Sequence, residues 1–294
     1  MLSSRSYSFL LVLLVSCSVH AGEPTFDRYR EFHAWSAGES GLLTDLRDRR
    51  LDHHTVVDAA LVAAGHSEQI GQRCKQVISA SIARCHSKLR SEQTKREKLR
   101  QIFRHIADDF LKGRYQSDLF DLKKTIDGGE FNCLTATILF TAFCDDFSLD
   151  AEAIWEPSHV QVWVPASDKY GFSVETTAQS AFDAVSELQY FRNVHMRSLD
   201  RNQLLGKVFY NKGVWALKSE QYPSALGATW LSTLLDSQDV PAQNNLRACF
   251  NNWALAAVAK DSNYELAGRL LDAGIALDPS YEPFLRNKSL LMDR

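Results

Sequence analysis

Between Asp127 and Thr177 the hydrophobic pattern changes period twice, and this narrows the available folds more than any other feature of the chain. Asp127-Gly128-Gly129 makes a loop, and the apolar run 134–143 after it has no breaker and is long enough for a buried helix. Asn132 is a good N-cap for that helix and sets Cys133 at its first position. Next, His159-Val160-Gln161-Val162-Trp163-Val164 alternates with period two. So does Phe172-Ser173-Val174-Glu175-Thr176-Thr177, where Glu175 faces opposite to Val174. The connector 165–171 is rich in turn residues. A turn centred near Ser167 would put His159 directly across from Glu175, with Cβ atoms about 5 Å apart.

Both flanks are helical in character. From 25 to about 112 the segments 55–64, 68–89 and 92–110 carry apolar residues at three-to-four spacing, such as Leu99, Ile102, Phe103, Ile106 and Phe110. After about 199 helices return with a weak internal repeat. Phe209-Tyr210-Asn211-Lys212-Gly213 is echoed 41 residues on by Phe250-Asn251-Asn252-Trp253-Ala254, and Tyr222-Pro223-Ser224-Ala225 42 residues on by Tyr264-Glu265-Leu266-Ala267. The offset equals a tetratricopeptide unit of about 34 residues plus a short insertion, placed at 236–243. Gly213, Ala225, Ala254 and Ala267 are small where paired helices approach closely; ordinary amphipathic helices are the plainer alternative. Two or three such units need a neighbour to cover one end. The expected class is α+β, with a helical N-terminal part, a small antiparallel sheet and an all-α helical array.

Composition removes several functions. At 294 residues the chain holds one large domain or two modest ones, and 45% hydrophobic with 23% charged residues is globular. A net charge of −3 spread over both signs excludes a nucleic-acid binder. The basic stretch 88–104 reads as a solvated helix face. His53-His54 with His33 or His66 lacks metal-ligand spacing, and neither Cys-x-x-Cys, His-Glu-x-x-His nor a phosphate-binding glycine loop occurs, so no metal or other cofactor is expected.

The N-terminus points to export. Arg5 and the short apolar run 9–15 read as a signal peptide, and two processing sites compete. Val19-His20-Ala21 suits cleavage before Gly22, whereas Leu14-Val15-Ser16-Cys17 resembles a lipobox that would put a lipid on Cys17 and tie the protein to a membrane. The expected divisions are a signal peptide at 1–21, one domain at 22–198 and helical repeats at 199–294. Without Cys17, five cysteines remain, so at least one thiol stays free. Cys74 and Cys85 share one expected helix and lie about 16 Å apart, beyond disulfide reach; the same holds for Cys133 and Cys144.

A thiolate is stabilised at a helix N-terminus by free N–H groups and the dipole, and further by a nearby imidazolium. Cys133 has the helix start, His159 could act as base and then acid, and Glu175 could fix the imidazole tautomer. N–H groups at the helix start, including that of Cys133, could hold an oxyanion. Singly, each residue reads as readily as core or surface; the order cysteine-helix, histidine-strand, acid-strand is the specific part.

The segments Gly129-Glu130-Phe131-Asn132-Cys133-Leu134-Thr135-Ala136-Thr137-Ile138-Leu139-Phe140, Pro157-Ser158-His159-Val160 and Val174-Glu175-Thr176-Thr177 resemble the bacterial transglutaminase-like superfamily. The resembling branch has a helical N-terminal half and C-terminal tetratricopeptide repeats. The likeness covers most of the mature chain and is strongest from about 103 to 177. It implies a papain-like α+β core with nucleophile Cys133, base His159 and acid Glu175. Glutamate stands where transglutaminases more often have aspartate, so its carboxylate must reach from a different place. The superfamily holds proteases, amidases, acyl transferases and members without demonstrated activity. The function expected is hydrolysis or acyl transfer at an amide in the cell envelope, with the repeats docking a protein or peptide. The alternatives are a non-catalytic peptide-binding module and a lipid-held envelope scaffold.

Overall fold

The computed structural model describes residues 29–48, 50–165, 170–177, 188–189 and 196–293. The expected signal peptide, Cys17 and the Ala21–Gly22 junction lie outside them. In chain order, α1 (Ala37–Asp45), a 3-10 turn (Leu46–Asp48), α2 (Val56–Ala63), α3 (Glu68–His86) and α4 (Lys95–Phe110) lead into β1 (Arg114–Tyr115), α5 (Leu122–Ile126) and β2 (Glu130–Phe131). Then come α6 (Cys133–Asp146), β3 (Glu152–Glu156), β4 (His159–Pro165), β5 (Tyr170–Val174), β6 (Leu188–Gln189) and β7 (Arg197–Leu199). Helices α7 (Arg201–Lys218), α8 (Tyr222–Leu235), α9 (Val240–Asp261), α10 (Tyr264–Leu277) and α11 (Glu282–Met292) complete the chain. The fold is mixed helical with small sheets, compatible with the expected α+β class.

Helix starts follow side-chain caps. Ser36 with Glu39, Thr55 with Asp58, Thr94 with Glu97 and Asp200 with Gln203 each form a reciprocal capping box. The Thr94 box explains why α4 begins at Lys95 rather than at 92: Thr94 is the residue able to receive the Glu97 N–H. Helix α6 is buried almost all round and forms the centre of the larger core. Phe140 meets Phe103 of α4 edge-on at 6.4 Å, and Phe143 meets Phe110 at 6.3 Å. Val160, Val162 and Val164 of β4 and Phe172 and Val174 of β5 belong to the same apolar cluster.

The described strands of the main sheet run in the order β6-β5-β4-β3-β7, every neighbour antiparallel. Its register departs from the expected one. Val174 lies across from Val162 and Phe172 across from Val164, whereas a turn centred near Ser167 would have set Val174 across from Val160. The turn itself lies outside the described residues. A slip of one residue would have turned the valines to the wrong face, but a slip of two keeps every side chain on its face. The hydrophobic pattern therefore cannot choose between these registers.

The C-terminal helices pack as antiparallel pairs. Gly213 permits the close approach of α7 and α8, since a Cβ there would come within 2.6 Å of Thr229 Cγ2. Ala225, Ala254 and Ala267 are fully buried between helices. There is no inserted loop at 236–243: residues 236–239 connect α8 to α9, and Val240 begins α9 behind the Asp239 cap. The extra length sits inside the helix.

Two apolar clusters tie the parts together. The first includes Leu204, Leu205, Val208 and Phe209 of α7 and Leu231 of α8, so the first helix pair packs into the same core as α2 and α6. In the second, Tyr29 and Phe32 are buried among the C-terminal helices. Tyr29 sits 4.8 Å from Trp230 and 5.0 Å from Phe250, Phe32 lies 6.0 Å from Trp253, and Arg269 stacks over Phe32 while bonding Glu31 at 2.6 Å. A half-buried Glu39–Lys212 bond of 3.0 Å then joins α1 to α7. Residues 204–294 expressed alone would expose apolar surface on both sides. That fragment should melt well below the full chain by circular dichroism; a cooperative, equally stable fragment would contradict the shared cores.

Candidate active site

Asn132 starts the site. Its side chain accepts the Thr135 N–H at 2.9 Å, the Thr135 hydroxyl accepts the Asn132 N–H at 3.1 Å, and the helix opens at Cys133 as the sequence predicts. Asn132 Nδ2 also donates to the carbonyls of Ser117 and Leu119, pinning the preceding loop beside the cysteine. The parallel pairing of β1 with β2 brings Tyr115 opposite Phe131. That pairing requires Gly113, because a Cβ there would lie 1.8 Å from the Gly129 carbonyl oxygen. As a result the Tyr115 hydroxyl faces Cys133 Sγ at 3.9 Å.

His159 is delivered by the hairpin of β3 and β4, in which Glu156 pairs with His159 across Pro157-Ser158. Ser158 takes φ 68°, a left-handed conformation that costs an L-residue on the order of 1 kcal/mol and closes the two-residue turn. Glu175 follows the last residue of β5. In the observed register it stands beyond the Val162–Val174 pair, across from Gln161 and diagonal to His159. Diagonal partners are about 7 Å apart, within reach of a long side chain. The extra methylene of glutamate fits this offset, and Glu175 Oε2 meets His159 Nε2 at 2.5 Å.

The carboxylate is itself held. Thr177 donates its N–H at 3.0 Å and its hydroxyl at 2.6 Å to Glu175 Oε1, leaving Oε2 for the imidazole. Thr176 is fully buried and ties this segment to α6 through Thr137 Oγ1 at 3.1 Å and the Cys133 carbonyl at 3.5 Å. With Nε2 on the carboxylate, Nδ1 is the ring nitrogen left for the thiol.

The electrostatics agree with that order. Burial pushes the Cys133 thiol up, but hydrogen bonds from His159 and the Val160 N–H, with the imidazolium charge, bring it below the usual thiol value. His159 is raised to about 10, by its bonds to Cys133 and then Glu175, against burial. Burial raises Glu175, and its bonds to His159 and Thr177 outweigh that and leave it low. Tyr115 is raised to about 12 by burial and by the charge on Cys133. The other described cysteines move the opposite way: burial raises Cys74 and Cys144, and takes Cys85 to about 11 and Cys249 to about 12. All five are free and buried.

The three residues singled out in the sequence thus lie together, while Tyr115, Thr176 and Thr177 were not read as part of the site. Tyr115 is eighteen residues from Cys133, and the two-residue parallel bridge that joins them has no periodic signature. Among the described residues no group of three or more histidine, cysteine or acidic side chains is placed to hold a metal. His54 and His66 are engaged by Asp45 and Asp121 instead.

The arrangement defines a class by chemistry alone: a thiol at a helix start, set beside an imidazole that is bonded to a half-buried carboxylate. Comparison with protein-family models, with curated proteins and with solved structures found no significant match to this chain.

Proposed function

We propose that this protein is an exported, transglutaminase-like thiol enzyme that hydrolyses or transfers the acyl group of an amide in a protein or peptide. In this reading the core is papain-like, the helices from α7 onward are tetratricopeptide-like repeats that hold a protein partner, and the mature protein resides in the cell envelope. The observation that carries the reading is His159, bonded to Glu175 and lining one cleft with Cys133, whose thiol is lowered while the other described thiols are raised.

The chemistry follows from these groups. The Cys133 thiolate attacks the carbonyl carbon, and the oxyanion is met by the Cys133 N–H at the helix start, with the Tyr115 hydroxyl nearby. The carbon–nitrogen bond breaks as the His159 imidazolium gives its proton to the leaving amine. A thioester on Cys133 remains. His159, now neutral, takes a proton from water or from an acceptor amine as that group attacks, and the thiolate is released. Glu175 keeps the ring oriented throughout.

Iodoacetamide at neutral pH should alkylate Cys133 ahead of Cys74, Cys85, Cys144 and Cys249, read by peptide mass spectrometry, and Cys133→Ala should abolish that labelling in a folded protein. Labelling spread evenly over the five, or absent from Cys133, would favour the non-catalytic binding module.

A further inference from the structure

Resting on the thiol-enzyme reading, we propose that the cleft between the β3–β4 hairpin and α7 is the substrate-selecting subsite, taking a bulky uncharged side chain, aromatic or branched aliphatic, that flanks the attacked amide. The cleft has a volume of about 290 Å³ and opens directly from Cys133 and His159. An apolar cavity of about 150 Å³ accepts benzene, so a side-chain ring and part of its backbone fit here. One wall is Trp155, next to the hairpin turn. The facing wall is a single stripe of α7, Lys207, Tyr210 and Val214, spaced three and four residues apart, with Pro241 of α9 at its end. Helix α7 and the start of α9 are therefore part of the site itself.

The charges along this wall are already matched to one another. Lys207 is buried, with Nζ 2.6 Å from Asp239 and 3.1 Å from Asp236, and it lies 4.6 Å over the Trp155 ring. Asp239 also receives the Ala242 N–H at 3.4 Å. Asp118 at the cleft mouth takes the Gln116 amide at 2.6 Å and Lys218 at 3.3 Å. A charged substrate group entering the cleft would shed its hydration and meet no opposite charge that is not already engaged, whereas an apolar group gains by leaving water. The Arg197 guanidinium, 5.2 Å from the centre of the Trp155 ring and bonded to Asp236, holds the indole in place.

The test uses the full chain and two matched series of short peptidyl electrophiles, one varying the side chain on the acyl side of the reactive carbon and one on the leaving-group side. Each series carries glycine, leucine, phenylalanine, aspartate or lysine. The rate of Cys133 alkylation is read by intact mass and expressed relative to iodoacetamide on the same protein. In at least one series leucine and phenylalanine should react about tenfold or more faster than glycine, with aspartate and lysine slowest. Val214→Trp, which fills the cleft, and Tyr210→Ala, which removes a wall, should each reduce that preference; both positions are half-buried on the helix surface. The inference is overturned if iodoacetamide selects Cys133 while both series stay flat or favour a charged side chain, or if the preference survives both substitutions. If iodoacetamide fails to select Cys133, the thiol-enzyme reading falls first and takes this inference with it.

Discussion

His159→Ala should move the pH midpoint of Cys133 alkylation upward, from below the ordinary thiol range to above it. In the native site burial raises the thiol, and the imidazole supplies both a hydrogen bond and a positive charge that lower it. Removing the ring leaves burial opposed by the Val160 N–H and the Tyr115 hydroxyl. The direction on the pH axis follows. In wild type the rate should rise on the acid side as Cys133 ionises against His159, then hold a plateau until the imidazolium is lost near pH 10. The variant should show one rise at or above about 8.5, and near neutral pH its rate should fall about tenfold for each unit of displacement. Folding stability has matching signs. His159 is raised from about 6.5 in the unfolded chain, so its contribution is full below that value and is lost as pH climbs through about 10. Cys133 is depressed, so its contribution is present above about 8.5 and is lost as pH falls through its lowered value. Alkylation rates and melting curves against pH, wild type beside variant, read both. A wild-type profile with a single rise near 8.5 that His159→Ala leaves unchanged would mean that no thiolate–imidazolium pair forms.

Glu175→Gln should cost more in turnover than in structure. The amide is the same size, and its oxygen can still accept from the Thr177 N–H and hydroxyl, which hold Oε1 in the native protein. Its NH2 group would then face His159 Nε2. An imidazole nitrogen that accepts from the amide cannot carry the proton there, so the proton moves to Nδ1, on the side of the thiol. A base protonated toward its nucleophile cannot take a proton from it. A reversed tautomer of this kind lowers catalysis by about 10²–10⁴ in triad enzymes. Pre-steady-state acylation of Cys133 by an activated ester should fall by that order, with a melting temperature close to wild type. Glu175→Asp tests the diagonal reach separately: one methylene shorter, it should lose much of the rate while keeping the charge. Wild-type acylation in Glu175→Gln would remove the carboxylate from the mechanism.

The site was legible because its parts announce themselves locally. Asn132 before Cys133 is a cap whatever surrounds it, and the alternation around Val160, Val162 and Val164 marks a strand without knowledge of its neighbours. Helix α4 starts three residues later than its periodicity predicts, because charged residues continue the helical pattern on both sides of Thr94 and the cap that sets the start acts through one hydroxyl. Strand β3 was not assigned. Its five residues have intermediate burial at three positions, a weak alternation that becomes clear only when Trp155 is paired with Val160.

The amino-acid sequence by itself determined the class of the fold, the helix that begins at Cys133, and the faces on which His159 and Glu175 lie. These follow from caps and from periods of two and 3.6, which act over a few residues. Only the tertiary structure decided the strand register, which sets Glu175 diagonal to His159, because registers two residues apart bury the same valines. It alone brought Tyr115 to the thiol, packed Tyr29 and Phe32 among the C-terminal helices, and made α7 a wall of the cleft. Those contacts join residues from eighteen to more than two hundred positions apart. Their energy comes from shape and burial between surfaces, and no local pattern along the chain encodes which surface meets which.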